Sequence, residues 1–373
     1  MVRQINPLLQ AAVEQGASDL HLSVGLPPLL RLQGKLVSLD KSPLDPQDTE
    51  ALAGQIMNEK QGKTFKEKGE IDLAYSSPGL ARFRVNIYRQ RGSTGIAMRV
   101  INTVIPTLDS LCLPEVIHNF SSCQKGLLLV TGPTGSGKST TQASLIDLIN
   151  QQRSCHIITL EDPIEYLHRN KNCMINQREI GQDSSSFAAA LRAALRQDPD
   201  VILVGEMRDH ETISTAITAA ETGHFVMATL HTVDSVQTID RIIDVFPSFQ
   251  QQQIRVQLAN TIVGIIAQRL IQRKDGKGRI PAVEVMVSNP AVRNLIREGK
   301  VHQIYSVIQT GGRQGMQLMD SHLEDLFRRG LIDRQSALDN ATDAEELGKT
   351  LDRRGESPLS LTAEPPDRRN RYR

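Results

Sequence analysis

The sequence predicts an α/β protein with a mainly parallel sheet, preceded by a separate and smaller α+β domain. From about Gly126 onward, near-continuous apolar runs alternate with helical patterns, as in strands buried on both faces by crossover helices. Before about residue 115 the rhythm differs: short runs alternate apolar and polar residues, as in strands with one face on a core. A chain of 373 residues is also too long for one small domain.

Strands are expected in the first segment at Asp19–Leu22, 29–33, 35–39 around Gly34, 71–75 and 81–88, with a helix over about 45–60. In 81–88 the odd positions Phe83, Val85 and Ile87 face a core, and Arg82, Arg84, Asn86 and Tyr88 face away. The stretch from Pro106 to Pro114 reads as a linker. The expected division is therefore 1–105, a linker at 106–115, a second domain at 116–347 and a disordered tail at 348–373, where periodicity gives way to Pro, Ser, Asp and Arg. In the second domain, strands are expected at Gly126–Thr131, 156–160, Val201–Val204 and Phe225–Leu230. Helices are expected between them at 139–152, 185–196 and 210–222. A hairpin around 275–278 and helices near 290–298 and 316–329 follow.

Composition narrows the function classes. With 43 basic and 42 acidic residues the net charge is +1, which offers no bulk attraction to nucleic acid or an anionic membrane. No run of 18 apolar residues is present and residues 1–15 hold no signal-peptide core. Cys112, Cys123, Cys155 and Cys173 stand singly, which disfavours a zinc site or a disulfide framework. These features together predict a cytoplasmic protein.

The strand at Gly126–Thr131 runs into Gly132-Pro133-Thr134-Gly135-Ser136-Gly137-Lys138-Ser139, which satisfies GxxxxGK[ST]. Glycines let backbone N–H groups turn around phosphate oxygens at φ values that other residues resist. Lys138 suits the β- and γ-phosphates of ATP, and the Ser139 hydroxyl suits one position on Mg²⁺. Thr140 completes the expected binding set. The next helix, with Leu145, Ile146 and Ile149 on one face, aims its positive end at the phosphates. A chance glycine-rich turn is the rival reading, and the strand before and helix after argue against it.

Hydrolysis needs an acid near the metal and a group to orient water. The strand Val201–Val204 ends in Gly205-Glu206, which places a carboxylate at the Mg²⁺ shell, reaching it partly through water. Many P-loop proteins carry Asp there, so Glu206 is a departure. Glu161, Asp162 and Glu165 follow another strand, with Pro163 keeping them in a loop at the carboxyl edge of the sheet. One of them is a candidate base, and spacing alone does not choose which. His224 and His231 bracket Phe225–Leu230 as candidate γ-phosphate sensors, against the plainer reading of edge histidines. Arg82, Arg84, Arg89, Arg91 and Arg99 cluster late in the first domain, and Arg192, Arg196 and Arg208 lie near Glu206. Such guanidinium groups suit phosphoryl-transfer charge, a solvated face or a nucleic-acid backbone. Aromatic content of 3% without tryptophan weakens the last.

As a set, these residues resemble the secretion-type ATPases of type IV pilus and type II secretion systems. The matching boxes are the 132–139 loop, Glu161-Asp162-Pro163-Ile164-Glu165, the run from Leu195 through Asp209, and Thr229-Leu230-His231-Thr232. Ala17-Ser18-Asp19-Leu20-His21-Leu22 and Ala291-Val292-Arg293-Asn294-Leu295-Ile296-Arg297-Glu298 point within the family to the pilus retraction motors, with Val292 where the family usually has Ile. The resemblance spans about residues 1–345. It implies a PAS-like N-terminal domain joined to a RecA-like P-loop ATPase domain, assembled as a homohexamer. It selects Glu165 as catalytic base, Glu206 as the Walker B acid, His224 with His231 as the histidine box, and Arg84 and Arg99, less clearly Arg82, as arginines reaching the nucleotide. The implied partners are an inner-membrane platform protein and the type IV pilus machine, met at the cytoplasmic face of that membrane. The helix at 291–298 would serve retraction rather than hydrolysis. The extension motors' tetracysteine is missing here. Rival readings are an accessory retraction paralogue, a RecA-like nucleic-acid translocase and a nucleotide-binding regulator without turnover.

Overall fold

This computed structural model describes residues 3–32, 34–101 and 104–353. The first domain is a six-stranded antiparallel sheet built from β1 (Asp19–Leu22), β2 (Leu29–Leu32), β3 (Lys35–Ser38), β4 (Glu70–Ser77), β5 (Ala81–Gln90) and β6 (Ser93–Ile101). Their order is β3-β2-β1-β6-β5-β4. On β5, Phe83, Val85 and Ile87 are fully buried, as alternation predicts, and they share a core with Leu9, Leu20, Leu22, Leu52, Ile96 and Met98. Where one helix is expected over 45–60 there are two, Pro46–Ile56 and Glu59–Lys68. Asn58 separates them: its side chain accepts from Gln61 N–H while Gln61 reaches back to the Asn58 N–H, a capping box that starts a new helix.

The second domain holds seven strands: β7 (Gly126–Thr131), β8 (His156–Glu161), β9 (Met174–Glu179), β10 (Val201–Val204), β11 (Phe225–Leu230), β12 (Ile262–Gln272) and β13 (Arg279–Val287). Their order is β13-β12-β7-β11-β10-β8-β9, parallel throughout except for β13 against β12. On β7, Leu127 and Leu129 enter one core with the helices His210–Glu221 and Ser235–Asp244. Leu128 and Val130 enter another with the helix Lys138–Gln152. Both faces of the sheet are covered, which explains why β7, β10 and β11 read as near-continuous apolar runs. The α/β class and the mainly parallel sheet thus stand as expected.

Two boundaries read from the sequence shift. Leu108 and Leu113, inside the expected linker, are buried in the second domain's core. The helix Ala344–Arg353 runs past Gly348 and buries Leu347 and Leu351 against Leu323 and Leu326. Residues 354–373 of the expected tail lie outside the described residues. No helix among the described residues is long and apolar enough to cross a membrane.

Candidate active site

The carboxyl ends of β7, β8, β10 and β11 open onto one cavity of about 450 Å³. β7 delivers the chain directly into the glycine loop, where Gly132, Gly135 and Gly137 sit at φ +139°, +78° and +88°. At Gly132 a Cβ would lie 2.2 Å from the Gln268 carbonyl oxygen. Gln268, on β12, is the loop's brace: its Nε2 donates to the Ser136 carbonyl at 2.7 Å, and its Oε1 accepts from the Thr141 hydroxyl at 2.8 Å. Lys138 folds back over the loop, donating to the carbonyls of Gly132 and Pro133 at 2.8 and 3.0 Å. Burial pushes its pKa down, opposed by the charges of Glu206 and Glu165. The ammonium is therefore a partly desolvated cation whose hydrogen bonds, among the described residues, go to neutral carbonyls, for which an anion in the cavity is the stronger partner. Ser136 Oγ is buried there with no hydrogen-bond partner among the described residues. Left-handed glycines, a helix start and a desolvated lysine fit a polyphosphate.

Glu206 follows β10 and enters the same cavity. Its Oε1 meets His231 Nε2 at 3.0 Å and also the Arg208 guanidinium. The Met207 N–H donates to the Thr229 carbonyl at 3.0 Å, and the Thr229 hydroxyl donates to the Gly205 carbonyl. These bonds tie the ends of β10 and β11 together and hold Glu206 and His231 side by side. Ser139 lines the cavity too, so the wall presents a hydroxyl and a carboxylate, donors that suit Mg²⁺ completed by phosphate oxygens and water.

The three acids at and after the end of β8 separate by environment. Glu161 is a bracing group: it accepts from the Thr159 hydroxyl at 2.6 Å and from Gln177 Nε2 at 3.0 Å, and burial raises its pKa. Asp162 and Glu165 are exposed to the cavity, and Glu165 alone of the three also lines a second groove of about 230 Å³. Arg84 and Arg99 line that groove across from Pro163, Ile164, Glu165 and Tyr166. They lie directly opposite each other on β5 and β6, and Arg99 Nε donates to Asp19 at 2.9 Å. Their wall is thus shared with the phosphate cavity, but neither lines that cavity itself.

Two further expected site residues, His224 and Arg82, do not line the cavity. His224 sits at the opposite end of β11 from His231, where its Nδ1 contacts the Ala219 carbonyl at 2.9 Å. A six-residue strand separates the pair by about 20 Å, so within one chain only His231 reaches the cavity. Arg82 pairs with Glu179 at 2.9 Å rather than facing the glycine loop. The helix Pro290–Arg297 lies away from the cavity, with Val292 and Ile296 buried against the helix Ser248–Thr261.

Sequence reasoning missed Gln268, Gln177 and Tyr166. Gln177 donates to Glu161 and to the Tyr166 carbonyl and accepts from the His168 N–H, fixing both ends of the acidic loop. The Tyr166 hydroxyl meets Thr140 Oγ1 at 2.9 Å, joining that loop to the glycine-loop helix. The available signal for Gln268 was an amide that follows the apolar run 262–267 in β12.

A model of the family described as Type II/IV secretion system protein matches residues 1–328. The type IV pilus retraction ATPase PilT of Pseudomonas aeruginosa is 50% identical over 337 residues, covering 90% of this chain and 98% of that relative. The type IV pilus ATPase PilU of the same organism is 40% identical over 344 residues, covering 92% and 90%. A crystal structure of the pilus retraction motor PilT with bound ADP superposes with a TM-score of 0.87 at 48% identity, covering 93% of this chain and 99% of that one.

Proposed function

The chain belongs to the type II/IV secretion system protein family, and from that premise we propose that it is the ATP-hydrolysing motor that retracts type IV pili. The observation that carries the catalytic part is the convergence of a braced glycine loop, a desolvated Lys138, the Glu206–His231 pair and an exposed Glu165 on one cavity. Identity of 50% to the retraction ATPase PilT against 40% to the type IV pilus ATPase PilU supports the reading as a retraction motor.

The residues divide the work. Gly132 to Thr140 hold the phosphates of ATP, and Lys138 leaves its two carbonyl partners to meet the β- and γ-oxygens. Ser139 and Glu206 are the residues that would hold Mg²⁺, which would supply positive charge against the negative charge developing on the transferred phosphoryl group. His231 keeps Glu206 in place and stands beside the γ-position. Glu165 orients a water and takes its proton as the oxygen bonds to phosphorus and the anhydride bond breaks. Arg84 and Arg99, on the far side of the Glu165 loop, approach the site when the first domain turns toward the second. His224, outside its own chain's cavity, acts in this reading at the junction with a neighbouring protomer.

The working unit is a homohexamer in the cytoplasm, delivering rotation to the pilus platform protein at the inner membrane. The helix Pro290–Arg297 is the coupling element and does no chemistry. Purified full-length protein should release phosphate from ATP in a Mg²⁺-dependent steady state that EDTA abolishes and DNA or RNA leaves unchanged. Stimulation by nucleic acid that falls steeply with salt would replace this reading with a translocase, and absence of turnover would replace it with a regulator.

A further inference from the structure

One ionic contact between the domains touches the backbone beside the proposed base. Arg82, on β5, donates from Nη2 to Glu179 Oε2 at 2.9 Å, at the end of β9. The same oxygen accepts the backbone N–H of Ile164 at 3.3 Å, one residue before Glu165. The other oxygen, Oε1, accepts from Gln182 Nε2 at 2.8 Å, and the Glu179 N–H donates to Asp183 at 2.8 Å. Glu179 is 4% exposed and Ile164 2%, so carboxylate and amide are both fixed in the interior.

We propose that Arg82 and Glu179 are positioning residues that set the Glu165 loop according to how the first domain sits on the second. The inference rests on Glu165 as base. Two of the carboxylate's partners, Gln182 and Ile164, belong to the second domain, while its cation comes from the first. A buried carboxylate that loses its cation is strongly disfavoured, and it turns toward water rather than remain unpaired. That rotation takes the Ile164 acceptor with it. Glu165 then loses its anchored neighbour and, with it, the alignment that water activation requires. Arg84 and Arg99 border the other side of the same loop, so one strand pair of the first domain flanks the segment twice. A turn of the first domain would break or make the Arg82 contact, tying water activation to domain position without any contact between Arg82 and nucleotide.

The test measures steady-state kcat and KM for ATP on full-length protein carrying Arg82→Ala, Arg82→Lys, Glu165→Ala, or Arg82→Ala with Glu165→Ala. Arg82→Ala should lower kcat by about 10-fold or more, since small misplacements of reacting groups cost rates of that order, with KM little changed. Arg82→Lys should recover most of the loss. The double variant should be no slower than Glu165→Ala alone, because Arg82 acts through Glu165. Hydrogen exchange in the peptide spanning 162–166 should rise in Arg82→Ala. Wild-type kcat in Arg82→Ala, or losses that multiply in the double variant, would overturn the pair while leaving Glu165 as base. Wild-type kcat in Glu165→Ala would overturn the base, and the pair with it. Should Arg82→Ala fail to fold, Glu179→Gln serves in its place: it removes the charge, keeps the shape, and should lower kcat in the same non-multiplying way.

Discussion

Replacing Glu165 with alanine should cut steady-state ATP turnover by about 10²–10⁴-fold, the range a positioned general base contributes, while leaving nucleotide affinity nearly unchanged. The split follows from where the side chain stands. Glu165 is exposed on the loop after β8, and the contacts that form the phosphate cradle come from Gln268, Thr141 and Lys138 instead. On the proposed role, removing it would take away water activation without disturbing the glycine loop. Glu161→Gln should behave in the opposite way, because Glu161 is a buried acceptor for Thr159 and Gln177. Comparing single-turnover rates with equilibrium binding of an ADP analogue separates the two. Retained turnover in Glu165→Ala would shift the role to Asp162, the other exposed acid of the loop.

Gly132→Ala should abolish function by a different route. The new Cβ would lie 2.2 Å from the Gln268 carbonyl and 2.7 Å from Ser136 Oγ, at a φ of +139° that L residues resist. Neither side yields easily. Gln268 lies on β12, which is bonded to β7 on one side and β13 on the other. The backbone strain alone costs about 1–3 kcal/mol, before the steric collision is counted. We expect a clear fall in Tm and a loss of nucleotide affinity on the order of 10²-fold, equivalent to about 2.7 kcal/mol. Gly62→Ala is the control: no heavy atom lies within 4 Å of its added Cβ, and it sits inside the helix Glu59–Lys68. It should raise stability by about 0.5–1 kcal/mol. Thermal unfolding with and without ADP reads both variants, and a Gly132→Ala protein that bound nucleotide normally would contradict the close packing of loop and strand.

What the sequence made legible depended on whether a residue's environment was local. β7, β10 and β11 are buried on both faces, so their apolar runs match the observed strands end for end. β9 reads Met-Ile-Asn-Gln-Arg-Glu, without a strand's pattern, because it is the edge strand and is held by pairing to β8 alone. The helix Ile5–Glu14 buries Ile5, Leu9 and Ala12 at helical spacing, a pattern obscured by the polar residues between them. In the site, Glu206 and His231 were legible because each lies at a strand end, and Lys138 because it closes the glycine loop that follows β7. Gln268 was not, since its two partners lie 127 and 132 residues away in the chain. Likewise the distinction of Glu161 from Asp162 and Glu165 needed Gln177, which reaches Glu161 from the neighbouring strand β9. His224 and His231 flank β11 in sequence, which places them at its opposite ends and only His231 of the pair in this chain's cavity.

The most direct test of the central claim is to delete the gene in a piliated strain that carries it and score pili and surface motility together. A retraction motor predicts cells with excess pili that fail to twitch, restored by the wild-type gene and not by the Glu165→Ala allele. Bald cells would mean that this ATPase builds pili rather than withdraws them, and would contradict the account.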